Sequence, residues 1–276
     1  MSTEHAIARH YAHGSLEQAI LDALAAAGKD LDHLAPGDLA PVDEFHIGGR
    51  QATAEFAGHL GVKRGMRLLD VGCGLGGAAR YFAHEHGCHV TGIDLSEEYV
   101  AVAHALAVRV GLGECARFQQ GSAVALPFDP GSFDGAYLFH VGMNIENKAR
   151  LFSEIRRVLV PSGVLGIYDV MRTGPGELAL PVPWASNPET SWVADPPTYR
   201  QLLQAAGFEV CKERNRREFA LELFQKMRAR GAAGKPAPLG LHIVMGAHAA
   251  QKIANMAADI TRGVIAPVEM ICRAAP

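Results

Sequence analysis

Two carboxylates and a glycine turn carry the first chemical signal in the chain. The run Leu68-Leu69-Asp70-Val71-Gly72-Cys73-Gly74-Leu75-Gly76-Gly77 is a short apolar strand entering a bare turn, and Gly72, Gly74 and Gly77 satisfy G-x-G-x-x-G. That spacing says only that a ligand approaches naked backbone at a strand-to-helix turn, where open α/β sheets bind ligands. A dinucleotide would set its pyrophosphate over the amides of the next helix N-terminus. Asp70 opposes this, because a carboxylate beside the turn repels pyrophosphate and attracts the ammonium and sulfonium charges of S-adenosylmethionine. Asp94 ends the next strand-like run, where it can accept both hydroxyls of a ribose, a role that suits either cofactor. Gly121-Ser122-Ala123 then places a hydroxyl and backbone amides where an adenine edge would lie, with a plain turn cap as the equal reading of Ser122.

A second group of residues suits an acceptor. His140, in YLFHVGMN, is expected at the end of the fourth strand, on the same sheet edge as the glycine turn. An imidazole there could take a proton near neutral pH, or simply pack under a cofactor. Phe45 and His46, ahead of Gly48-Gly49, are placed to close over the methionine end, and Asn144 to touch cofactor or acceptor. Asp169, after Tyr168, ends the fifth strand, and Trp184 and Trp192 could wall an organic substrate. Core packing competes for both Trp residues and for Met143. His84, His86 and His89 raise a metal reading, but on a helix His84 and His86 would point about 200° apart. His89 falls in the next strand, so no metal is expected.

The elements that must position these groups follow from pattern. Ser15 with Gln18 forms a capping-box signal before a stripe of Leu16, Ala19, Ile20, Ala23, Leu24 and Ala27, closed by Gly28. The following KDLDHLAPGDLAPVDEFHIGGR, rich in Pro and Gly, reads as a structured loop. From Met66 strand and helix alternate: MRLLDVG, AARYFAHEH, CHVTGID, then SEEYVAVAHALAVRVG capped by Ser96. ARFQQGSA, SFDGAYLFH, NKARLFSEIRRVLV and GVLGIYDV continue the series. A Pro-rich insertion leads to a helix at PTYRQLLQAAG, a strand at FEVCKERNRREF, helices near 221–230 and 248–261 with a loop between them, and a last strand, VIAPVEMICR. Such alternation predicts a doubly wound α/β fold with a seven-stranded, mostly parallel sheet. One domain suffices, with an N-terminal helical lid (1–62), a cofactor-binding core (63–170) and a region of substrate cap and last strands (171–276).

Composition narrows the partners. The chain has 276 residues, 49% hydrophobic and 20% charged, enough for a core without staples. Its 26 Lys and Arg against 29 Asp and Glu give −3, so nothing recruits a nucleic-acid backbone or an anionic membrane. No apolar run approaches the roughly 18 residues of a membrane span, and the N-terminus does not read as a signal peptide. Cys73, Cys88, Cys115, Cys211 and Cys272 are odd in number and scattered, as reduced thiols of a cytoplasmic protein would be. The expected partner is a small molecule; a homodimer is compatible with this reading.

LLDVGCGLGGAARYFA, GIDLS, GSAVALPF, SFDGAYLFH and EIRRVLVPSGVLGIYDV, in that order, resemble the successive motifs of class I S-adenosylmethionine-dependent methyltransferases over Arg67 to Val170. Within that superfamily the chain is similar to the ubiquinone/menaquinone C-methyltransferase and sarcosine/dimethylglycine N-methyltransferase types. The resemblance implies a Rossmann-like methyltransferase fold, with Asp70, Gly72 and Gly74 around the methionine part. It implies Asp94 and Leu95 at ribose and adenine, and Ser122 and Ala123 at the adenine edge. Many members have Asp where this chain has Ser122, which would turn a carboxylate contact into a weaker hydroxyl one. Methyl transfer to N, C or O of a small acceptor would be an in-line displacement releasing S-adenosylhomocysteine, with no metal required. An NAD(P)-dependent oxidoreductase using the same glycine turn, and a non-catalytic S-adenosylmethionine-binding regulator, are the alternatives.

Overall fold

The computed structural model describes residues 4, 7, 14–233 and 238–276. Seven runs become strands: β1 (Arg67–Val71), β2 (His89–Asp94), β3 (Ala116–Gln120), β4 (Phe133–Phe139), β5 (Leu159–Arg172), β6 (Phe208–Asn215) and β7 (Ile265–Ala274), with β-branched and aromatic residues concentrated in β4, β5 and β7. They join in one sheet of order β3-β2-β1-β4-β5-β7-β6. All neighbours pair in parallel except β7, which runs antiparallel to β5 and β6. Alternation along β1 sends Leu69 and Val71 into one apolar layer and Leu68 into the other, so the sheet is buried on both faces. The chain steps outward from β1 to β2 and β3, then returns to β4 on the other side. This reversal opens a crevice at the carboxyl ends of β1 and β4.

The helices are α1 (Leu16–Ala26), α2 (Pro36–Asp43), α3 (Gly49–Leu60), α4 (Gly77–His86), α5 (Glu97–Arg109), α6 (Lys148–Val158), α7 (Pro196–Ala205), α8 (Arg217–Ala233), α9 (His242–Met245) and α10 (Ala249–Arg262). Among the described residues no helix is long and apolar enough to cross a membrane. Ser96 caps α5 as expected, its Oγ accepting the Tyr99 amide at 3.2 Å.

Two local expectations are corrected. The Ser15–Gln18 capping box does not form: Ser15 makes no side-chain cap, Gln18 donates to Asp22, and the Leu16 amide instead donates to Glu98 Oε1 of α5 at 3.2 Å. A tertiary partner has replaced the local one. The segment expected as a loop contains α2, with Pro36 in its first turn and Asp38 accepting the Ala35 amide at 2.9 Å. The expected loop at 231–240 lies partly outside the described residues.

Helix α2 is clamped onto α4. Arg80 donates to Asp43 Oδ2 at 2.6 Å with both side chains fully buried, and its other nitrogen reaches the Ala103 carbonyl at 3.2 Å. Gly77 permits the approach, since a Cβ there would lie 2.3 Å from the Asp43 carbonyl oxygen. The N-terminal helices are thereby held over the glycine turn.

Candidate active site

The crevice begins at Gly72, whose φ of +69° and contact with Val141, 2.5 Å from where a Cβ would sit, admit no side chain. Asp94 fixes the turn: Oδ2 accepts the Gly74 amide and Oδ1 the Ser96 amide, each at 2.9 Å. A cavity of about 280 Å³ opens beyond it. Asp70, Gly72, Gly74, Asp94, Leu95 and Ala123 line it, as do Phe45, His46, Asn144 and His140, so most of the residues singled out from sequence converge here.

The cavity is acidic. Its described wall carries Glu4, Asp43, Glu44, Asp70, Asp94 and Glu146 and neither Lys nor Arg. Asp70 Oδ2 is buried with no hydrogen-bond partner among the described residues. Burial pushes the Asp70 carboxyl up to about 8; the Tyr137 hydroxyl works against this, and the charges of Asp94 and Glu44 add to it. Burial likewise raises Asp94, against the amides that bond it, and lifts Glu44 to about 7 with help from Asp43. An ammonium and a sulfonium would relieve this concentration of carboxylates, whereas a pyrophosphate would aggravate it. S-adenosylmethionine therefore fits the residues present.

A pH dependence follows. Carboxyls with raised values lose their protons as pH climbs through neutrality, and only the charged forms attract a cation. Affinity for S-adenosylmethionine is expected to tighten from about pH 6 to about pH 9, and that for S-adenosylhomocysteine, which lacks the sulfonium, to change less. Titration calorimetry at both ends checks this; two equal, flat profiles would contradict it.

His140 sits at the end of β4 with φ +55°, its amide donating to Tyr168 O at 2.8 Å, and this rare backbone turn aims the ring into the cavity. Its Nε2 has no partner among the described residues. Burial, aided by His46, holds the imidazole well below its ordinary value, so it favours the neutral ring. His46 stacks on Phe139 at 4.6 Å, sits 3.1 Å from Thr53 Oγ1, and burial pushes it down to about 4. Thr53 donates to Glu44 Oε2, and Arg50 Nε lies 2.6 Å from Glu44 Oε1, misaligned for a hydrogen bond. The sequence reading missed Glu44; an acid beside Phe45 in a loop-like segment carried no signal by itself.

A second chamber of about 220 Å³ shares Glu44, Phe45, His46 and His140 with the first, so these four form the neck between them. Trp184 lines this second chamber, its indole donating to Ser191 Oγ at 3.0 Å. Asn144 donates to the Trp184 and Thr190 carbonyls at 2.9 and 3.1 Å, tying the Pro-rich insertion to the cavity rim.

Three residues offered from sequence lie off the chamber walls. Ser122 is not on the cavity wall: its Oγ bonds Glu4 and accepts the Val124 amide at 3.2 Å, a turn cap, while Gly121 and Ala123 face the cavity. Asp169 lines neither chamber. It is fully buried, accepts the Tyr199 hydroxyl at 2.6 Å, and is raised by burial to about 6, so it anchors α7 to the sheet. Trp192 also lines neither chamber.

Residues 69–167 match the family described as Methyltransferase domain. Over those residues the chain carries a methyltransferase domain. The chain is 40% identical over 118 residues to a sterol 24-C-methyltransferase of Gibberella zeae, covering 43% of this chain and 31% of that one. Phosphoethanolamine N-methyltransferase 1 of Zea mays is 31% identical over 179 residues, 65% of this chain and 35% of that one. The chain thus spans about a third of the length of these curated relatives. Among solved structures, geranyl diphosphate C-methyltransferase from Streptomyces coelicolor superposes with a TM-score of 0.70 at 16% identity over 100% of this chain and 99% of that one, a likeness of fold.

Proposed function

We propose that this chain transfers the methyl group of S-adenosylmethionine to a small organic acceptor. The observation that carries the reading is the acidic cavity at the glycine turn, lined by Asp70, one of whose buried carboxylate oxygens has no partner among the described residues. Asp70, Gly72 and Gly74 surround the methionine part, Asp94 and Leu95 receive ribose and adenine, and Ala123 with Gly121 borders the adenine. When bound, the cofactor supplies an electrophilic methyl whose bond to sulfur breaks as the bond to the acceptor forms, sulfur keeping the electron pair.

The chain's own residues do the positioning. The neck of Glu44, Phe45, His46 and His140 stands between the chambers, where an acceptor atom would face the methyl, and the clamp of α2 on α4 holds α2, which leads into the neck, in place. Among the neck groups Glu44, at about 7, is best matched to accept an acceptor's proton near neutral pH, and His140 remains a neutral hydrogen-bonding wall. The division into lid (1–62), core (63–170) and cap (171–276) belongs to this reading, as does a cytoplasmic location, which the five free cysteines support.

The test is incubation with S-adenosylmethionine carrying a labelled methyl and a panel of amines, phenols, enols and terpenoid alcohols, followed by mass analysis. Label in an acceptor together with S-adenosylhomocysteine is the expected result. Binding of the cofactor without transfer to any member would favour a non-catalytic regulator.

A further inference from the structure

The second chamber has a chemistry of its own. Its wall away from the neck is built by Ile47, Met143, Trp184, Phe224, Met245 and Met256, from the loop before α3, the segment after β4, the Pro-rich insertion and helices α8 to α10. Glu44 is the sole charged residue on its described wall. The one indole N–H there is occupied by Ser191. We propose that the acceptor is an uncharged, largely hydrocarbon molecule with a single nucleophilic group, its body in this chamber and that group at the Glu44–His46–His140 neck; this rests on the methyltransferase reading.

The alternatives fail on partners. A phosphate or carboxylate entering the chamber would lose its hydration, find no cation among the described lining residues, and face Glu44. A zwitterion would leave its carboxylate equally unmatched. An ammonium would stand beside the bound sulfonium, and Glu44 already faces Arg50 at 2.6 Å. A hydrocarbon body meets none of these penalties and gains from the apolar area it buries. Met143, Met227, Met245 and Met256 give the wall unbranched, adaptable side chains, and Met227, 44% exposed on α8, marks the open side.

Three probes with one carbon skeleton test the proposal: geraniol, geranylamine and geranyl diphosphate, each titrated by calorimetry into the full chain saturated with S-adenosylhomocysteine. Geraniol is expected to bind tighter than either charged form by about tenfold or more. Leu223 lines the chamber and is only partly buried on α8, so substitutions there should fold. Leu223→Trp, which fills the space, should weaken geraniol by about tenfold and leave S-adenosylhomocysteine binding unchanged. Leu223→Lys should narrow or reverse the preference for geraniol over the diphosphate. A charged probe binding as tightly as geraniol, no binding of geraniol, or unchanged geraniol affinity in Leu223→Trp would overturn the acceptor assignment alone. Failure of S-adenosylhomocysteine to bind would overturn the methyltransferase reading, and the assignment with it.

Discussion

Asp94→Ala is expected to lower the affinity for S-adenosylmethionine by about ten- to a hundredfold. Charge-assisted hydrogen bonds to ribose hydroxyls contribute roughly 1.5–3 kcal/mol, which converts to that range. The carboxylate has lone pairs to spare, because the Gly74 and Ser96 amides each take one oxygen at 2.9 Å. The Ala variant loses the ribose contact and also unpins the turn, whereas Asp94→Asn keeps one acceptor and should fall between. Calorimetry on variants shown by circular dichroism to be folded measures this. An unchanged affinity would remove Asp94 from the ribose site.

Asp43→Ala is expected to destabilise the protein by about 3–5 kcal/mol, because Arg80 would keep its charge in a fully buried position with its carboxylate partner gone. The cost lies in the orphaned guanidinium more than in the lost attraction, so Asp43→Ala combined with Arg80→Met should recover much of it. Urea denaturation reads both variants. A loss under about 1 kcal/mol in the single variant would mean that the Ala103 carbonyl and its neighbours satisfy Arg80 alone. Since Asp43 ends α2 next to Glu44, the same change should loosen the neck and weaken cofactor binding.

The centre of the sheet was legible because β1, β2 and β4 are short apolar or alternating runs, and the glycine turn because only Gly fits at position 72 against Val141. The carboxylates Asp70 and Asp94 could be placed from sequence for the same reason: they end strands whose direction the alternation sets. What escaped was tertiary. Asp169 ends a run on the correct sheet edge, but Tyr199, thirty residues farther along, captures it. Ser15 has the residue type of a cap, yet the Leu16 amide bonds to Glu98 instead, while Ser122 caps its own turn through the Val124 amide and bonds Glu4 of the cavity wall. His140 stands where expected, but its basicity depends on burial that no spacing reveals. Glu44 gains its role from Thr53, Arg50 and two chambers, and the second chamber is assembled from segments far apart in the chain.

The central claim is that the acidic cavity at the glycine turn takes S-adenosylmethionine. Isothermal titration of S-adenosylmethionine, S-adenosylhomocysteine and NADH, separately, into the purified chain tests it most directly. The account predicts micromolar binding of the first two and none of NADH; binding of NADH alone would contradict it and make the glycine turn a dinucleotide site.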